Sequence, residues 1–191
     1  YVPLKLADAR IVVMNTNKKR ELADSKYNER LGECREGLAA IRKKRDVANL
    51  CDLSVSDFES LSELIESSVV RRRVRHCVTE NARVGEAVAA LETGDLVALG
   101  RLLGESHASL RDDYEVTGPE LDALYEEAIA VPGCLGARMT GAGFGGCAIA
   151  IVRKDAVKSF IVRVGERYRA RCGIEASFFA CESGDGAYRI I

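Results

Sequence analysis

The chain has 191 residues, of which 47% are hydrophobic and 30% are charged, and its 28 basic and 29 acidic side chains give a formal net charge of -1. These values are typical of a globular protein that is large enough to bury its own core. They give no electrostatic reason to expect nucleic acid or an anionic membrane as a partner, and the longest apolar runs are too short to span a bilayer.

The cysteines and the first residue bear on where the protein works. Seven cysteines are widely scattered without any Cys-x-x-Cys spacing, and only two histidines are present. A zinc site or a disulfide framework is therefore not expected, and a reducing cytoplasm fits this pattern. The chain opens on Tyr1 and enters an apolar strand almost at once, so we interpret it as a fragment of a longer protein.

The first predicted elements are a strand and an amphipathic helix. Residues 11–14 are continuously apolar and mostly β-branched, which predicts a strand buried on both faces. Residues 49–57 are polar and irregular, which indicates a loop with a short helix after it. Between these two segments, apolar residues recur every three or four positions and predict a helix with Asp24 or Ser25 as its N-cap. The apolar positions of this helix are Tyr27, Leu31, Cys34, Leu38 and Ile41.

Helices are predicted through the middle of the chain. The apolar periods of residues 70–91 and 96–110 indicate two helices, and the short break between them favours an antiparallel pair. Pro119 is typical of the first position of a further helix. Two basic runs, residues 42–45 and 71–73, fall in helical patterns and are predicted to lie on solvated helix faces.

The last part of the chain predicts strands around one helix. Residues 147–152 indicate a strand, followed by a helix that Gly173 ends. Residues 174–181 and 187–191 indicate two further strands, joined by a hairpin at residues 183–186. The sum is an α+β fold, with about four strands in a mostly antiparallel sheet and the helices largely on one side. We predict a single domain over residues 1–191.

The most distinctive segment is rich in glycine. Residues 138–146 read Arg-Met-Thr-Gly-Ala-Gly-Phe-Gly-Gly, and such glycines permit positive φ angles and expose backbone N–H groups, as in anion-binding nests. The pattern G-x-G-x-x-G is present, but a helix is predicted before it and a strand after it, which is the reverse of the dinucleotide-binding order. The glycines are therefore consistent with two structures, a phosphate-binding loop or a tight helix-to-strand connector.

Three segments resemble the galactokinases, a family of GHMP sugar kinases. The glycine-rich segment, followed by Cys147 and an apolar strand, is similar to the third motif of GHMP kinases. Residues 15–30 and residues 106–122 are similar to galactokinase segments that occur in the same order. Together the three segments cover almost the whole chain, and this makes the resemblance specific.

The resemblance implies a GHMP kinase C-terminal domain of ferredoxin-like fold, the C-terminal half of a galactokinase. It implies that the complete enzyme uses ATP and Mg²⁺ to phosphorylate the C1 hydroxyl of galactose, and that Tyr27 contacts the sugar. Catalytic and metal-binding residues are implied to lie in an N-terminal lobe outside this chain, so the fragment alone is expected to be inactive. The residues implied to lie near the nucleotide phosphates are Thr140, Gly141, Ala142, Gly143, Gly145, Gly146 and Lys19.

Several alternatives stay open. Tyr27 also fits as the first core residue of its helix, and Lys19 fits as part of an exposed basic turn. Asp112, Asp113 and His107 are predicted to be structural rather than catalytic. For the whole protein, the rivals are another GHMP kinase, a non-catalytic galactokinase-like sensor of sugar and ATP, and an interaction domain without a ligand.

Overall fold

The structure is a computed structural model that describes residues 2–18, 23–182 and 184. Among these residues, no helix has the length and apolar character needed to cross a membrane. The strands and helices follow one another as β1 (Ala9–Asn15), α1 (Ala23–Arg42), α2 (Val55–Leu61), α3 (Ser68–Thr93), α4 (Leu96–Asp112), α5 (Pro119–Ile129), β2 (Cys134–Thr140), β3 (Cys147–Arg153), α6 (Val157–Cys172) and β4 (Ser177–Cys181).

The four strands form one sheet in the order β2-β3-β1-β4, and each neighbouring pair is antiparallel. This arrangement confirms the predicted α+β class. On β1, Val12 and Met14 are 0% exposed and pack in a core with residues of α5 and α6. Ile11 and Val13 point to the other face and are only half-buried. The prediction that this strand is buried on both faces is therefore wrong, because α5 and α6 cover one face.

Strand β2 is an element that the sequence analysis missed. The glycine-rich segment consequently joins two strands, and the predicted helix-to-strand connection is wrong. The outer edge of β2 lies against α4, so closely that a Cβ on Gly136 would be 2.2 Å from the carbonyl oxygen of Gly100. Helix α4 thus covers an edge that β3 does not pair.

The other predicted elements have mixed outcomes. The helix pair is confirmed by α3 and α4, which are separated by Gly94 in the left-handed conformation (φ +71°), and Gly173 (φ +68°) ends α6 as predicted. Helix α1 begins at Ala23, so the prediction of a cap at Asp24 or Ser25 is wrong. The predicted strand over residues 187–191 lies outside the described residues, as does the predicted hairpin apart from Gly184.

A second core joins α1 to α3. Its fully buried members include Ile41 of α1 and Val74 of α3. The two helices approach closely at Gly37, where a Cβ would lie 2.2 Å from Cγ2 of Val74. This contact positions α1, the helix that carries Tyr27.

Candidate functional site

The turn between β2 and β3, residues 141–146, is called the glycine loop below. All of its glycines have positive φ: +85° at Gly141, +82° at Gly143, +100° at Gly145 and +87° at Gly146. Phe144 is also left-handed, at +56°. Glycine adopts these angles without the steric penalty that a Cβ brings, so the backbone path itself requires the glycine-rich composition.

The glycine loop is anchored on the connection between α4 and α5, residues 113–118. The N–H of Phe144 donates to the carbonyl oxygen of Val116 at 2.8 Å. A Cβ on Gly143 would lie only 2.1 Å from that same oxygen. On the other side of the loop, the N–H of Thr16 donates to the carbonyl oxygen of Gly146 at 2.9 Å. The loop is therefore held from two segments that are distant in sequence.

The glycine loop has a buried base and an exposed tip. Gly143, Gly145 and Gly146 are buried, whereas Gly141 and Ala142 are exposed. The buried glycines permit close packing, which is the role of a tight connector. The exposed tip is the part whose backbone amides can face an anion. The tight-connector alternative thus applies to the buried glycines, and the phosphate-binding alternative applies to the exposed tip. Phosphate binding at the tip stays a prediction.

The basic turn after β1 is described only as far as Lys18. This side chain lies beside the loop, since a Cβ on Gly145 would be 3.7 Å from Cβ of Lys18. Its Nζ is 2.8 Å from Oε2 of Glu120, in the first turn of α5, so its charge is paired. Lys19, the residue predicted to lie near phosphate, is outside the described residues.

Tyr27 lies in the second turn of α1, and its side chain is 59% exposed. The alternative in which it begins the core stripe of this helix is therefore wrong. Leu31, one turn later, is also exposed, and the packed part of the stripe starts at Cys34. An exposed tyrosine presents an apolar ring together with a polar hydroxyl, which suits it to contact a sugar.

Arg30 connects the Tyr27 helix to the glycine loop. Its buried guanidinium donates from Nε to the carbonyl oxygen of Tyr114 at 2.6 Å and from Nη2 to that of Glu115 at 3.1 Å. The next carbonyl, of Val116, accepts from the glycine loop. The backbone carbonyls of residues 114–116 therefore connect α1, which carries Tyr27, with the glycine loop. This connection is called the link below, and the sequence did not predict it.

Arg73 of α3 also stabilises this link, because it contacts both α1 and the α4–α5 connection. Its side chain is 2% exposed, with Nε 2.9 Å from Oε2 of Glu33 and Nη2 2.8 Å from Oε2 of Glu115. Its Nη1 also donates to the carbonyl oxygen of Asp113. The prediction that residues 71–73 form a solvated face is therefore wrong for Arg73. Hydrogen bonds from Arg73 and Arg72 hold the pKa of Glu115 at about 2, below its ordinary value.

Backbone strain concentrates where this link meets the glycine loop. Glu115 has φ +53° and Phe144 has φ +56°, both in the left-handed region that non-glycine residues rarely adopt. Each such residue costs on the order of 1–3 kcal/mol and persists only where its surroundings fix it. Glu115 and Phe144 are held in this conformation by the bonds of Arg30 and Arg73 and by the hydrogen bond between Phe144 and Val116.

His107 and Asp112, which are predicted to be structural, both have partners within the fold. His107 is fully buried, stacks on Tyr125 with ring centroids 3.9 Å apart, and accepts the N–H of Met139 at Nδ1 (3.1 Å). Its Nε2 lies 3.2 Å from Oδ1 of Asp122, close enough for an ion pair but poorly aligned for a hydrogen bond. Asp112 pairs with Arg111, whose hydrogen bonds hold the pKa of this carboxyl below its usual range.

The burial of His76 predicts how the free energy of unfolding depends on pH. It is buried against Tyr114, with ring centroids 4.4 Å apart, and burial lowers its pKa to about 4. Because the unfolded chain binds a proton near pH 6.5 and the folded chain does not, wild type should lose stability relative to His76→Gln as pH falls from 6.5 to 4. We expect a relative loss of about 3 kcal/mol in the free energy of unfolding. Denaturant titrations of both proteins between pH 4 and 7.5 measure it, and parallel pH profiles would contradict it.

A metal site is not formed by the described part of the chain, where no group of three or more His, Cys, Asp or Glu side chains could hold an ion. The carboxylates close to the link, Glu33 and Glu115, are already neutralised by arginines. The donor set of these residues therefore does not fit Mg²⁺.

Comparison with known proteins gives consistent results. The family described as "GHMP kinases C terminal" matches residues 87–170. The galactokinase of Clostridium perfringens strain SM101 is 54% identical over 186 residues, and that of Staphylococcus carnosus is 55% identical. These alignments cover 97% of this chain and 48% of each relative, so the chain spans about half the length of the curated relatives it matches. The solved structure of Lactococcus lactis galactokinase complexed with galactose is 48% identical, with a TM-score of 0.95, over 98% of this chain and 48% of that one.

The chain belongs to the GHMP kinase family and has the fold of its C-terminal domain. Within that family it is of the galactokinase type, because similarity to galactokinases extends over nearly all of its residues.

Proposed function

We propose that this chain is the C-terminal domain of a galactokinase, an enzyme that transfers the γ-phosphoryl group of ATP to the C1 hydroxyl of galactose. The proposal rests chiefly on one observation: the fold matches, with a TM-score of 0.95, a galactokinase that was solved with galactose. A shared fold alone does not specify a substrate, so the proposal also takes support from the 48% sequence identity to that galactokinase over 98% of this chain.

In this proposal Tyr27 contacts the sugar. Its exposed hydroxyl lies on a helix that Arg30 and Arg73 fix relative to the glycine loop. A hydroxyl held in this way can exchange a hydrogen bond with a sugar oxygen and orient the C1 hydroxyl for transfer. The rigid link also sets the distance between the sugar contact and the loop.

The glycine loop borders the phosphates of ATP in this proposal. Thr140, Gly141 and Ala142 face the nucleotide, and the buried Gly143, Gly145 and Gly146 support them. Lys19 adds positive charge beside them. Mg²⁺ supplies charge neutralisation on the phosphates when it is bound, and we assign its ligands and the catalytic residues to an N-terminal lobe.

The proposal also includes the extent and location of the domain. Residues 1–191 form one C-terminal domain, which completes a cleft with the N-terminal lobe. The complete enzyme works in the cytoplasm, a location supported by seven cysteines that are free thiols.

The test is a phosphorylation assay with the complete protein, ATP and Mg²⁺. Galactose 1-phosphate should form, and a panel of other monosaccharides should give much lower kcat/KM. The 191-residue chain alone should give none above background. A preference for another substrate would point to a different GHMP kinase, and binding without turnover by the complete protein would point to a sensor; either result contradicts the proposal.

Tyr27→Phe tests the sugar contact, because it removes only the hydroxyl. We expect KM for galactose to rise roughly tenfold, as for the loss of one hydrogen bond, with stability unchanged because the ring is exposed. Steady-state kinetics of the complete protein measure KM. Tyr125→Phe is the control, since Tyr125 packs on His107 outside the proposed site. Equal KM values for wild type and Tyr27→Phe would remove Tyr27 from the site.

A further inference from the structure

Two cysteines face each other between α1 and α3. Sγ of Cys34 is 3.6 Å from Sγ of Cys77, and the hydroxyl of Tyr114 is also 3.6 Å from Sγ of Cys34. The two thiols are 43 residues apart in sequence and both are half-buried. They therefore form a dithiol, a pair of free thiols that is partly exposed between the two helices.

The packing of the two helices holds these thiols together. Cys34 and Gly37 are three residues apart and share one face of α1, and Val74 and Cys77 are placed in the same way on α3. The absence of a side chain on Gly37, where a Cβ would meet Val74 at 2.2 Å, permits the close approach. The dithiol is thus built by the same contact that positions α1.

The two sulfurs are unequal in acidity. Hydrogen bonds from Cys77 and Tyr114, with the positive charge of Arg73 nearby, lower the pKa of Cys34 to about 7. The hydrogen bond to Cys34 and burial raise the pKa of Cys77. A thiolate is the reactive form of cysteine toward peroxides and disulfides. Only Cys34 also faces the hydroxyl of Tyr114, a donor that can stabilise a thiolate, so we assign Cys34 as the nucleophile and Cys77 as the resolving thiol.

We propose that Cys34 and Cys77 are a redox modification site, which a peroxide converts reversibly to a disulfide. The Cys34 thiolate attacks one peroxide oxygen, the O–O bond breaks, and hydroxide leaves to become water after taking up a proton. This step oxidises Cys34 to a sulfenic acid. The Cys77 sulfur then attacks Sγ of Cys34, and a second water leaves. The two thiols lose two electrons in all, the peroxide gains them, and an added dithiol reverses the change.

The disulfide would act on the sugar site, a consequence that rests on the proposed function. The two sulfurs must approach by about 1.6 Å, from 3.6 Å to the bond length of about 2.0 Å. Cys34 also gives up its contact with Tyr114, whose carbonyl holds Arg30. A shift of α1 moves Tyr27, which lies two turns before Cys34. We therefore expect oxidation to raise KM for galactose about threefold or more, because small misplacements weaken a positioned contact.

The test begins with thiol mapping of the complete protein. After treatment with hydrogen peroxide and alkylation, peptides containing Cys34 and Cys77 should be linked, and dithiothreitol should separate them. Cys181→Ser, which removes an exposed cysteine on β4, should still form the link. In Cys77→Ser, dimedone should trap a sulfenic acid at Cys34. Linkage of other cysteines, or two unlinked peptides in wild type, would overturn the proposal.

Kinetics separate this proposal from the proposed function. KM for galactose should rise on oxidation and recover on reduction, in wild type and in Cys181→Ser but not in Cys34→Ser. A mapped disulfide with an unchanged KM would refute the effect on the sugar site. If the reduced protein phosphorylates no galactose, the proposed function fails, and the mapping still decides whether the dithiol is oxidised.

Discussion

Replacement of Gly143 by alanine should lower the free energy of unfolding by about 3–4 kcal/mol. The left-handed conformation (φ +82°) accounts for about 1–2 kcal/mol of this loss. The rest comes from the Cβ, which would lie 2.1 Å from the carbonyl oxygen of Val116 and must displace the hydrogen bond from Phe144. A backbone oxygen cannot rotate away as a side chain can, so the loop has to move. Denaturant titration of the chain measures the loss.

The same substitution should lower kcat/KM of the complete protein about 100-fold, because the glycine loop leaves its place beside the proposed nucleotide. Gly94→Ala is the matched control. Gly94 has a similar φ of +71° but nothing lies within 4 Å of its Cβ position, so alanine there should cost only about 1–2 kcal/mol. Equal losses for the two variants would show that the contact with Val116 is unimportant.

Most of the helices could be predicted because their signals are local. Pro119 marks the start of α5, Gly173 marks the end of α6, and Gly94 separates α3 from α4. Strand β2 has no such signal. Gly136 and Arg138 interrupt its apolar pattern, and the reason for Gly136 is the approach of α4 at Gly100, a contact between residues 36 positions apart. Tertiary packing determined this strand, and local propensity did not.

The candidate site could be predicted only in outline. The glycine composition indicated a loop with positive φ angles, and the structure has them, but Phe144 shares the same conformation without any sequence signal. The exposure of Tyr27 was open, because its position in an apolar stripe also fits a core residue. The link through residues 114–116 depends on backbone carbonyls, which every residue carries and no pattern of side chains reveals.

The environment of Arg73 was predicted wrongly from the sequence, because its side chain is buried. It stands in a run of three arginines that is typical of a solvated helix face, and helical geometry turns each of them in a different direction. Arg72 stays partly exposed, while Arg73 points into the interface with α1 and the α4–α5 connection. The partners that make its burial tolerable come from two segments that are distant in sequence, so their arrangement appears only in the folded chain.

Replacement of Arg73 by methionine should therefore destabilise the chain by about 2–3 kcal/mol. Methionine keeps the apolar stem but removes one of the two arginine partners of Glu33, which keeps Arg30 (Nη1 to Oε2, 3.1 Å), and it leaves the carbonyl of Asp113 without its Arg73 donor. The loss arises mainly from the partly buried carbonyl of Asp113, which loses its donor, since Glu33 and Glu115 keep Arg30 and Arg72 as partners. Denaturant titration of wild type and variant measures the difference.

Arg72→Met is the matched control, because it removes the same charge as Arg73→Met but from a more exposed side chain. Arg72 and Arg73 bind the same carboxylate, that of Glu115, but the Arg72 side chain is 32% exposed and its replacement should cost only about 0–1 kcal/mol. Adding Glu33→Gln to Arg73→Met should deepen the loss, since it also removes the ion pair between Glu33 and the buried Arg30. Similar losses for Arg72→Met and Arg73→Met would mean that the link is held by its backbone contacts and by Arg30 rather than by the buried Arg73.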